Sequence, residues 1–203
     1  MNKPKYVKVD NELYEINTDF RVAIECNNIS LDENIGDYER ALAIIYKLFG
    51  EHGLECTKMD KLLDLGMRYI NIYQQDKTPI KNDSDSNFDF DINKCEGLIR
   101  SSFKFDYNYD PYELKYLHWW DFYTDLANLS TSEFGNCCIL NRIANILNQD
   151  AQKIKDSKQR KILIDKQKEF KEKYCMDKKE NKNMSKKEEE SAKAFYKSLG
   201  IDL

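Results

Sequence analysis

The chain has 203 residues, a formal net charge of −4, and 33% charged against 41% apolar residues. This length suffices for one domain with a real hydrophobic core. Seven glycines and three prolines are too few for an all-β fold with many tight turns. No apolar run approaches the about 20 residues that span a bilayer. The composition therefore predicts a mainly α protein without a membrane span, with long helices joined by short polar loops.

A small β-hairpin is predicted at the start of the chain, over residues 6–16. Both arms alternate apolar and polar residues, and the segment between them, Asp10-Asn11-Glu12, favours a turn. An isolated hairpin is marginal in water. We therefore expect it to pack on the helices or to pair with a strand of another copy.

Three helices are predicted to follow the hairpin. The first runs from its cap, Thr18, to about residue 28, and the second covers residues 37–49, with Gly50 as its stop. A third helix opens at Thr57, and its apolar residues recur every three or four positions, which indicates one buried face. That face comprises Met59, Leu62, Leu63, Gly66, Met67, Ile70 and Tyr73.

The middle of the chain predicts a long exposed loop and two further helices. Residues 76–89 are polar and rich in turn formers, so they predict the loop. Asp91 is the expected cap of a fourth helix, and Asp110-Pro111 suits the start of a fifth. The fifth is apolar on nearly every side, which predicts that it is the buried centre of the fold. The core residues expected from both helices are Ile99, Phe103, Trp119, Trp120 and Tyr123.

The last third of the chain predicts one apolar helix and a charged extension. A sixth helix is expected over residues 135–148, and a charged helix over residues 150–176, broken near Asp156-Ser157. The organisation expected from the whole pattern is a compact core of about six helices over residues 1–149. The charged helix follows, and then a flexible Lys/Glu-rich tail over residues 177–203 with a short terminal helix.

The charges are unevenly distributed along the chain. Residues 1–149 hold 16 Lys/Arg and 25 Asp/Glu, whereas residues 150–203 hold 16 and 11, so the two parts carry −9 and +5. The positive part raises a nucleic-acid interpretation. Acidic residues are interleaved with the basic ones, and a phosphate-binding surface needs basic residues focused on one side. A solvated helix face is therefore the preferred interpretation.

The sequence offers no catalytic or metal-binding motif. It lacks a glycine-rich phosphate loop and a G-x-S-x-G elbow, and the only histidines are His52 and His118. No two cysteines form a C-x-x-C pair, so we expect small core residues in a reducing compartment. We predict no enzyme activity, no cofactor and no metal site. The six cysteines are Cys26, Cys56, Cys95, Cys137, Cys138 and Cys175.

Four segments form a recognisable pattern: Phe90-Asp91, the segment Leu98-Ile99-Arg100-Ser101-Ser102-Phe103, the segment Leu117-His118-Trp119-Trp120-Asp121-Phe122, and Asn141-Arg142-Ile143. In these segments the chain resembles the "gene product fifteen" family of tailed phages and prophages of Gram-positive bacteria. Together they give an aspartate-led helix, a tyrosine-rich link, a His-Trp-Trp-x-Phe core and a small helix. The resemblance covers about residues 5–176, and its motifs are structural, without catalytic residues to carry over.

The resemblance implies a phage tail assembly chaperone. Such a protein binds the tape measure protein and recruits tail-tube subunits in the cytoplasm of the bacterial host, and it is absent from the finished virion. A homo-oligomer is left open, no membrane contact is expected, and nucleic acid is not an expected partner. Two alternatives stay open: a structural tail or connector component of the virion, and a nucleic-acid-binding regulator.

Overall fold

The computed structural model describes residues 3–71, 90–130 and 138–176, and these residues are mainly helical with one antiparallel two-stranded hairpin. The predicted fold class is confirmed. No helix of this described part is long and apolar enough to cross a membrane. The loop over 76–89, the start of the sixth helix at 135 and the tail over 177–203 lie outside the described residues. The elements are β1 (Tyr6–Val9), β2 (Glu12–Glu15), α1 (Phe20–Leu31), α2 (Asp37–Leu54), α3 (Met59–Ile70), α4 (Glu96–Tyr107), α5 (Trp119–Ala127), α6 (Ile139–Asn148) and α7 (Ser157–Tyr174), with a 3₁₀ turn at Ala151–Lys153.

The described residues group into two compact units. The first unit lies within Met1–Asn82 and Pro111–Ala127, and it contains the hairpin with α1, α2, α3 and α5. The second unit lies within Asp83–Asp110 and Asn128–Leu203, and it contains α4, α6 and α7. The division into a core over residues 1–149 and a charged helix over residues 150–176 stays a prediction, while α7 groups with α4 and α6.

The hairpin packs on helices of its own chain. In its register Tyr6 lies opposite Glu15 and Val9 opposite Glu12, and the turn is closed by Asp10 with φ 54°. Asp tolerates this left-handed conformation better than most residues. Tyr14 and Val9 are buried, and β1 contacts α3 while β2 contacts α2. The hairpin thus packs on the helices of its own chain, which is the first of the two arrangements expected for it.

The boundaries of α1 and α2 differ from the prediction. Asp19, rather than Thr18, caps α1, because its carboxylate accepts a hydrogen bond from the Arg21 N–H at 2.9 Å. The helical conformation of α2 is interrupted at Gly50, which adopts φ 66° and ψ −159°, and a second short helical stretch follows to Leu54. Glycine reaches this conformation without the steric cost that other residues incur, so the predicted stop is present as a break between two helical stretches.

The predicted fifth helix is wrong in its first half. Residues 111–118 are irregular, and α5 begins only at Trp119. Two contacts within the first unit explain the difference. The Arg21 guanidinium donates to the carbonyls of Pro111, Tyr112 and Leu114, which a helix would use itself. Residues 117–119 pair instead with residues 18–20. Tertiary hydrogen bonds therefore override the local helical signal.

The second unit is built on α4, α6 and α7. Asp91 does not cap α4, since it accepts hydrogen bonds from the backbone of Asn93 and Lys94 in a preceding turn, and α4 begins at Glu96. The predicted break near Asp156-Ser157 is confirmed, because Asp156 caps α7. Ile99 and Phe103 of α4 are 2% and 0% exposed, so the inner face of α4 carries much of the core of this unit.

Candidate protein-binding site

A short backbone pairing fixes the segment that contains the His-Trp-Trp motif. The Phe20 N–H donates to the Leu117 carbonyl at 2.9 Å, and the Trp119 N–H donates to the Thr18 carbonyl at 2.8 Å. These two bonds form an isolated antiparallel bridge centred on Asp19 and His118. The pairing holds the start of α5 against the start of α1, and it thereby sets the direction of both tryptophans.

Both tryptophans hold the end of α3. The indole Nε1 of Trp119 donates to the Ile70 carbonyl at 2.9 Å, and that of Trp120 donates to the Tyr69 carbonyl at 3.2 Å. The last carbonyls of a helix lack partners within the helix, so these donors satisfy groups that would otherwise be orphaned. We call this arrangement, Trp119 and Trp120 on the carbonyls of Tyr69 and Ile70, the tryptophan clamp.

Stacked rings fill the space beneath the clamp. Phe122 is fully buried and stacks on Phe20 with ring centroids 4.3 Å apart. Trp119 stacks on Phe122 at 6.0 Å, and Tyr123 meets Trp119 edge-on at 5.5 Å. Aromatic pairs of this kind add to the free energy gained by burial alone. The motif therefore packs as a structural unit around its own rings.

The structure places the five predicted core residues in different units. Trp119 is 5% exposed in the first unit, where Trp120 and Tyr123 are half-buried. Ile99 and Phe103 are buried in the second unit. Tyr116, which falls in the predicted fifth helix, is 55% exposed because it precedes α5.

His118 is buried beside the clamp with one ring nitrogen satisfied. Its Nδ1 accepts a hydrogen bond from the Trp120 N–H at 3.1 Å, so the neutral ring carries its proton on Nε2. Within the described residues Nε2 has no hydrogen-bond partner, and neither has the hydroxyl of Tyr69. Burial lowers the pKa of His118, while Asp121 opposes that shift and Lys3 adds to it. The site therefore favours a neutral imidazole.

A pH dependence of stability follows from His118. Its folded pKa lies below its unfolded value of about 6.5, so the unfolded chain binds more protons as the pH falls. We expect its contribution to be complete above about pH 6.5 and to be lost as the pH falls towards the folded pKa. Urea unfolding at pH 7.5 and at pH 5.5 measures this loss. The variant His118→Asn, which retains an acceptor near Nδ1, should lose less stability over the same interval.

The control for this prediction is His52→Asn. His52 is exposed and pairs with Glu12 on the hairpin at 2.9 Å. Replacing it tests whether the loss of stability between pH 7.5 and pH 5.5 is specific to His118 or arises from either histidine. An equal loss of stability on acidification in the native protein and in His118→Asn contradicts the assignment.

An open groove lies on the first unit beside the kink of α2. Its volume is about 740 Å³, and its lining includes Glu15, Glu25, Tyr46, Lys47, Gly50 and Tyr116. The Asn17 N–H donates to the Leu48 carbonyl at 2.7 Å, which ties the end of the hairpin to α2. The Thr18 and Tyr116 hydroxyls hydrogen-bond at 2.6 Å. The groove is therefore bordered by α1, α2, the hairpin end and the segment before α5.

The lining of this groove suits a protein segment. Tyr46 and Tyr116 are 50% and 55% exposed, and tyrosine supplies large apolar area with a polar tip, which is why it is enriched in interfaces. Lys47 and Glu25 form an ion pair within the lining. No motif in the sequence predicts this groove. Its one sequence signal is that Tyr46 is an aromatic residue that falls outside the apolar stripe of α2.

The thiols and carboxylates of the described residues form no metal centre. No group of three or more His, Cys, Asp or Glu in residues 3–71, 90–130 and 138–176 could hold a metal ion. The cysteines described there are all buried and free. Burial raises the pKa of Cys26 and of Cys95 to about 12. Both are protonated at neutral pH and are poor nucleophiles.

Asp110 is a buried charged residue of the second unit. Asp110 is 4% exposed, and its carboxylate accepts from Arg100 Nε at 2.9 Å and from Lys104 Nζ at 3.2 Å. The hydrogen bond to Asp110 raises the pKa of Arg100. Arg100 also pairs with Glu96 one turn earlier on α4. These contacts fix the end of the segment that follows α4, and they point to a structural role.

Comparison with known proteins identifies the family. The model of the bacteriophage Gp15 protein family matches residues 2–175. No curated protein and no solved structure matches the chain. The match spans both units, including the tryptophan clamp, the groove and α7. By this match over most of its length, the chain belongs to the bacteriophage Gp15 protein family.

Proposed function

We propose that this protein is a phage tail assembly chaperone that binds the tape measure protein and recruits tail-tube subunits. Its family supports the coarser description of a phage structural or morphogenesis protein. In this proposal the protein has no catalytic activity and no cofactor. It acts in the cytoplasm of the bacterial host and is absent from the finished virion. A tape measure protein is a long helix with apolar stripes, and a chaperone for it needs a surface that accepts such a stripe.

The groove on the first unit is the observation that carries this proposal. Small-molecule sites enclose most of their ligand, whereas this groove is open and bordered by two half-exposed tyrosines. An amphipathic helix can lay its apolar face on Tyr46 and Tyr116 and direct a polar side chain towards the Lys47–Glu25 pair. The kink at Gly50 adds room, since no atom lies within 4 Å of where a Cβ would be.

The groove predicts which residues dominate binding to the tape measure protein. We expect Tyr46→Ala and Tyr116→Ala each to weaken that binding by at least tenfold, because exposed tyrosines that become buried at an interface are frequent hot spots. Co-expression with the tape measure protein, followed by purification of the complex and titration, measures the change. The thermal stability of both variants should remain close to that of the native protein, since each ring is half-exposed already.

The matched control is Tyr6→Ala. Tyr6 is 53% exposed on the outer face of the hairpin, in the same unit but outside the groove lining. Binding should be unchanged in this variant. If the native protein is recovered free of both the tape measure and the tail-tube protein, the chaperone proposal fails. Mass spectrometry of purified particles tests the alternative of a structural tail or connector component, which requires the protein in the virion.

A further inference from the structure

The charged helix α7 has one face buried and two different exposed flanks. Its inner face consists of Leu163, Gln167, Phe170 and Tyr174, and Leu163 is 8% exposed. Gln167 Nε2 donates to the carbonyls of Ile146 and Gln149, which fixes the helix on the end of α6. This attachment determines which residues of α7 lie on each flank.

One flank of α7 carries three lysines around an exposed isoleucine. At about 100° per residue, Lys161, Ile164, Lys168 and Lys171 lie within an arc of about 80°, and the three acids of α7 fall outside it. We call these four residues the lysine flank. Ile164 is 48% exposed at its centre. Three of the seven basic residues of α7 therefore lie on this flank with no acid among them, and Glu172 at its edge pairs with Lys168 at 3.9 Å.

The opposite flank has a mixed composition. It surrounds Ile162, which is 56% exposed, and it combines Lys158 and Lys166 with Asp165 and Glu169. The two flanks lie on the same helix, and each has an isoleucine at its centre that is exposed to a similar degree. They differ in charge balance, and this difference makes the second flank a matched control for the first.

The chain itself carries the complementary charge. In the described residues of the first unit, 10 Lys/Arg stand against 16 Asp/Glu, which gives −6. In α7, 7 Lys/Arg stand against 3 Asp/Glu, which gives +4. Complementary potentials of this kind steer association and fix its register. The apolar centre of the lysine flank favours binding to a protein surface, because a phosphate backbone offers no apolar group against which Ile164 could be buried.

The corner between α1 and α2 matches the lysine flank in chemistry. It presents Glu33, Asp37 and Glu39 around Tyr38, whose side chain is 69% exposed. The nearby cation, Arg40, is directed inward, where it donates to the carbonyls of Asp32 and Ile35 and to Asp37. The corner therefore offers an exposed aromatic residue between Asp37, which pairs with Arg40, and Glu39, as the flank offers an exposed aliphatic residue among lysines.

We propose that the lysine flank of α7 binds the acidic α1–α2 corner of a second copy of this chain. The two surfaces are different, so the contact is heterologous, and each copy retains one free flank and one free corner. Contacts of this type propagate into rings or open filaments. The proposal goes beyond the chaperone function, because it requires neither the tape measure nor the tail-tube protein.

The test is sedimentation velocity of the purified full chain over a concentration series in about 0.1 M and about 1 M NaCl. Screening shortens the electrostatic range from about 10 Å to about 3 Å between these conditions. We expect concentration-dependent association at low salt and its loss at high salt. A chain that is monomeric at low salt overturns the proposal, and so does an assembly that nuclease treatment dissolves.

Charge reversals locate the interface. Lys161→Glu with Lys168→Glu should abolish association, whereas Lys158→Glu with Lys166→Glu, which changes the net charge equally, should leave it. Glu33→Lys with Glu39→Lys should also abolish it. An equimolar mixture of the flank and corner variants brings together two reversed surfaces and should restore association. Equal effects of the two lysine pairs, or a mixture that stays monomeric, overturns the assignment. Circular dichroism confirms that each variant is folded.

Discussion

Replacing Trp119 with alanine is expected to lower the free energy of unfolding by about 3–5 kcal/mol, the usual range for emptying a buried aromatic site. Trp119 is 5% exposed and stacks on Phe122. Its indole also donates to the Ile70 carbonyl at 2.9 Å, so the variant leaves a buried carbonyl at the end of α3 without its partner. Urea unfolding followed by far-UV circular dichroism measures the change.

The second tryptophan provides the comparison. Trp120 is half-buried and holds the Tyr69 carbonyl at 3.2 Å, so Trp120→Ala should cost less than Trp119→Ala. Trp119→Phe retains a ring and removes the donor, which separates packing from hydrogen bonding. Equal losses in Trp119→Ala and Trp120→Ala contradict the assignment of Trp119 as the inner member of the clamp.

The clamp shows what the sequence could and could not predict about this fold. Its aromatic residues are recognisable as a structural cluster from composition and spacing alone. Their helix was overextended, because residues 111–118 contain strong helix signals and their tertiary partners are distant in sequence. The Arg21 guanidinium binds three carbonyls there from about 90 positions away. No local pattern encodes such a contact, whereas the break near Asp156-Ser157 is a local feature that the sequence predicts.

The candidate groove was invisible to sequence reasoning for a related reason. Its walls come from the hairpin end, α1, α2 and the segment before α5, which are far apart in the sequence. Gly50, the predicted helix stop, lies in this lining at the break in α2. Tyr116 falls in the part of the predicted fifth helix that does not form, where the helical pattern predicts a buried side chain. An incorrect start for the fifth helix thus makes Tyr116 look buried, although its side chain is exposed.

The lysine flank depends on local geometry and on tertiary attachment together. The heptad-like spacing of Lys161, Ile164, Lys168 and Lys171 is present in the sequence. Which side of α7 is buried depends on Leu163 and on the bonds from Gln167 to the end of α6. The interleaved charges suggested a uniformly solvated face. In the structure one flank carries three lysines while the opposite flank combines both signs, and this difference in charge balance is what a charge-complementary surface requires.

The second prediction of large effect concerns the buried carboxylate of Asp110. Arg100→Met keeps an aliphatic stem and removes one of the two cations on a carboxylate whose side chain is 1% exposed. Leaving a buried charge poorly compensated typically costs about 3–5 kcal/mol, and Lys104 at 3.2 Å moderates that cost. The Arg100 side chain is itself 38% exposed, so we expect a loss in the free energy of unfolding that is smaller than for a fully buried pair and larger than for an exposed one.

The double variant Arg100→Met with Asp110→Asn distinguishes this cause from a loss of packing. Removal of the carboxylate's charge should recover part of the stability, because no uncompensated anion then remains buried. The comparison is a double-mutant cycle in urea, with Arg68→Met as the surface control, since Arg68 pairs with Asp64 on the exposed side of α3. Exposed pairs of that kind contribute about 0–1 kcal/mol. If Arg100→Met costs no more than Arg68→Met, Asp110 does not depend on Arg100, and the tie between α4 and the segment after it must rest on Lys104 and the surrounding apolar packing.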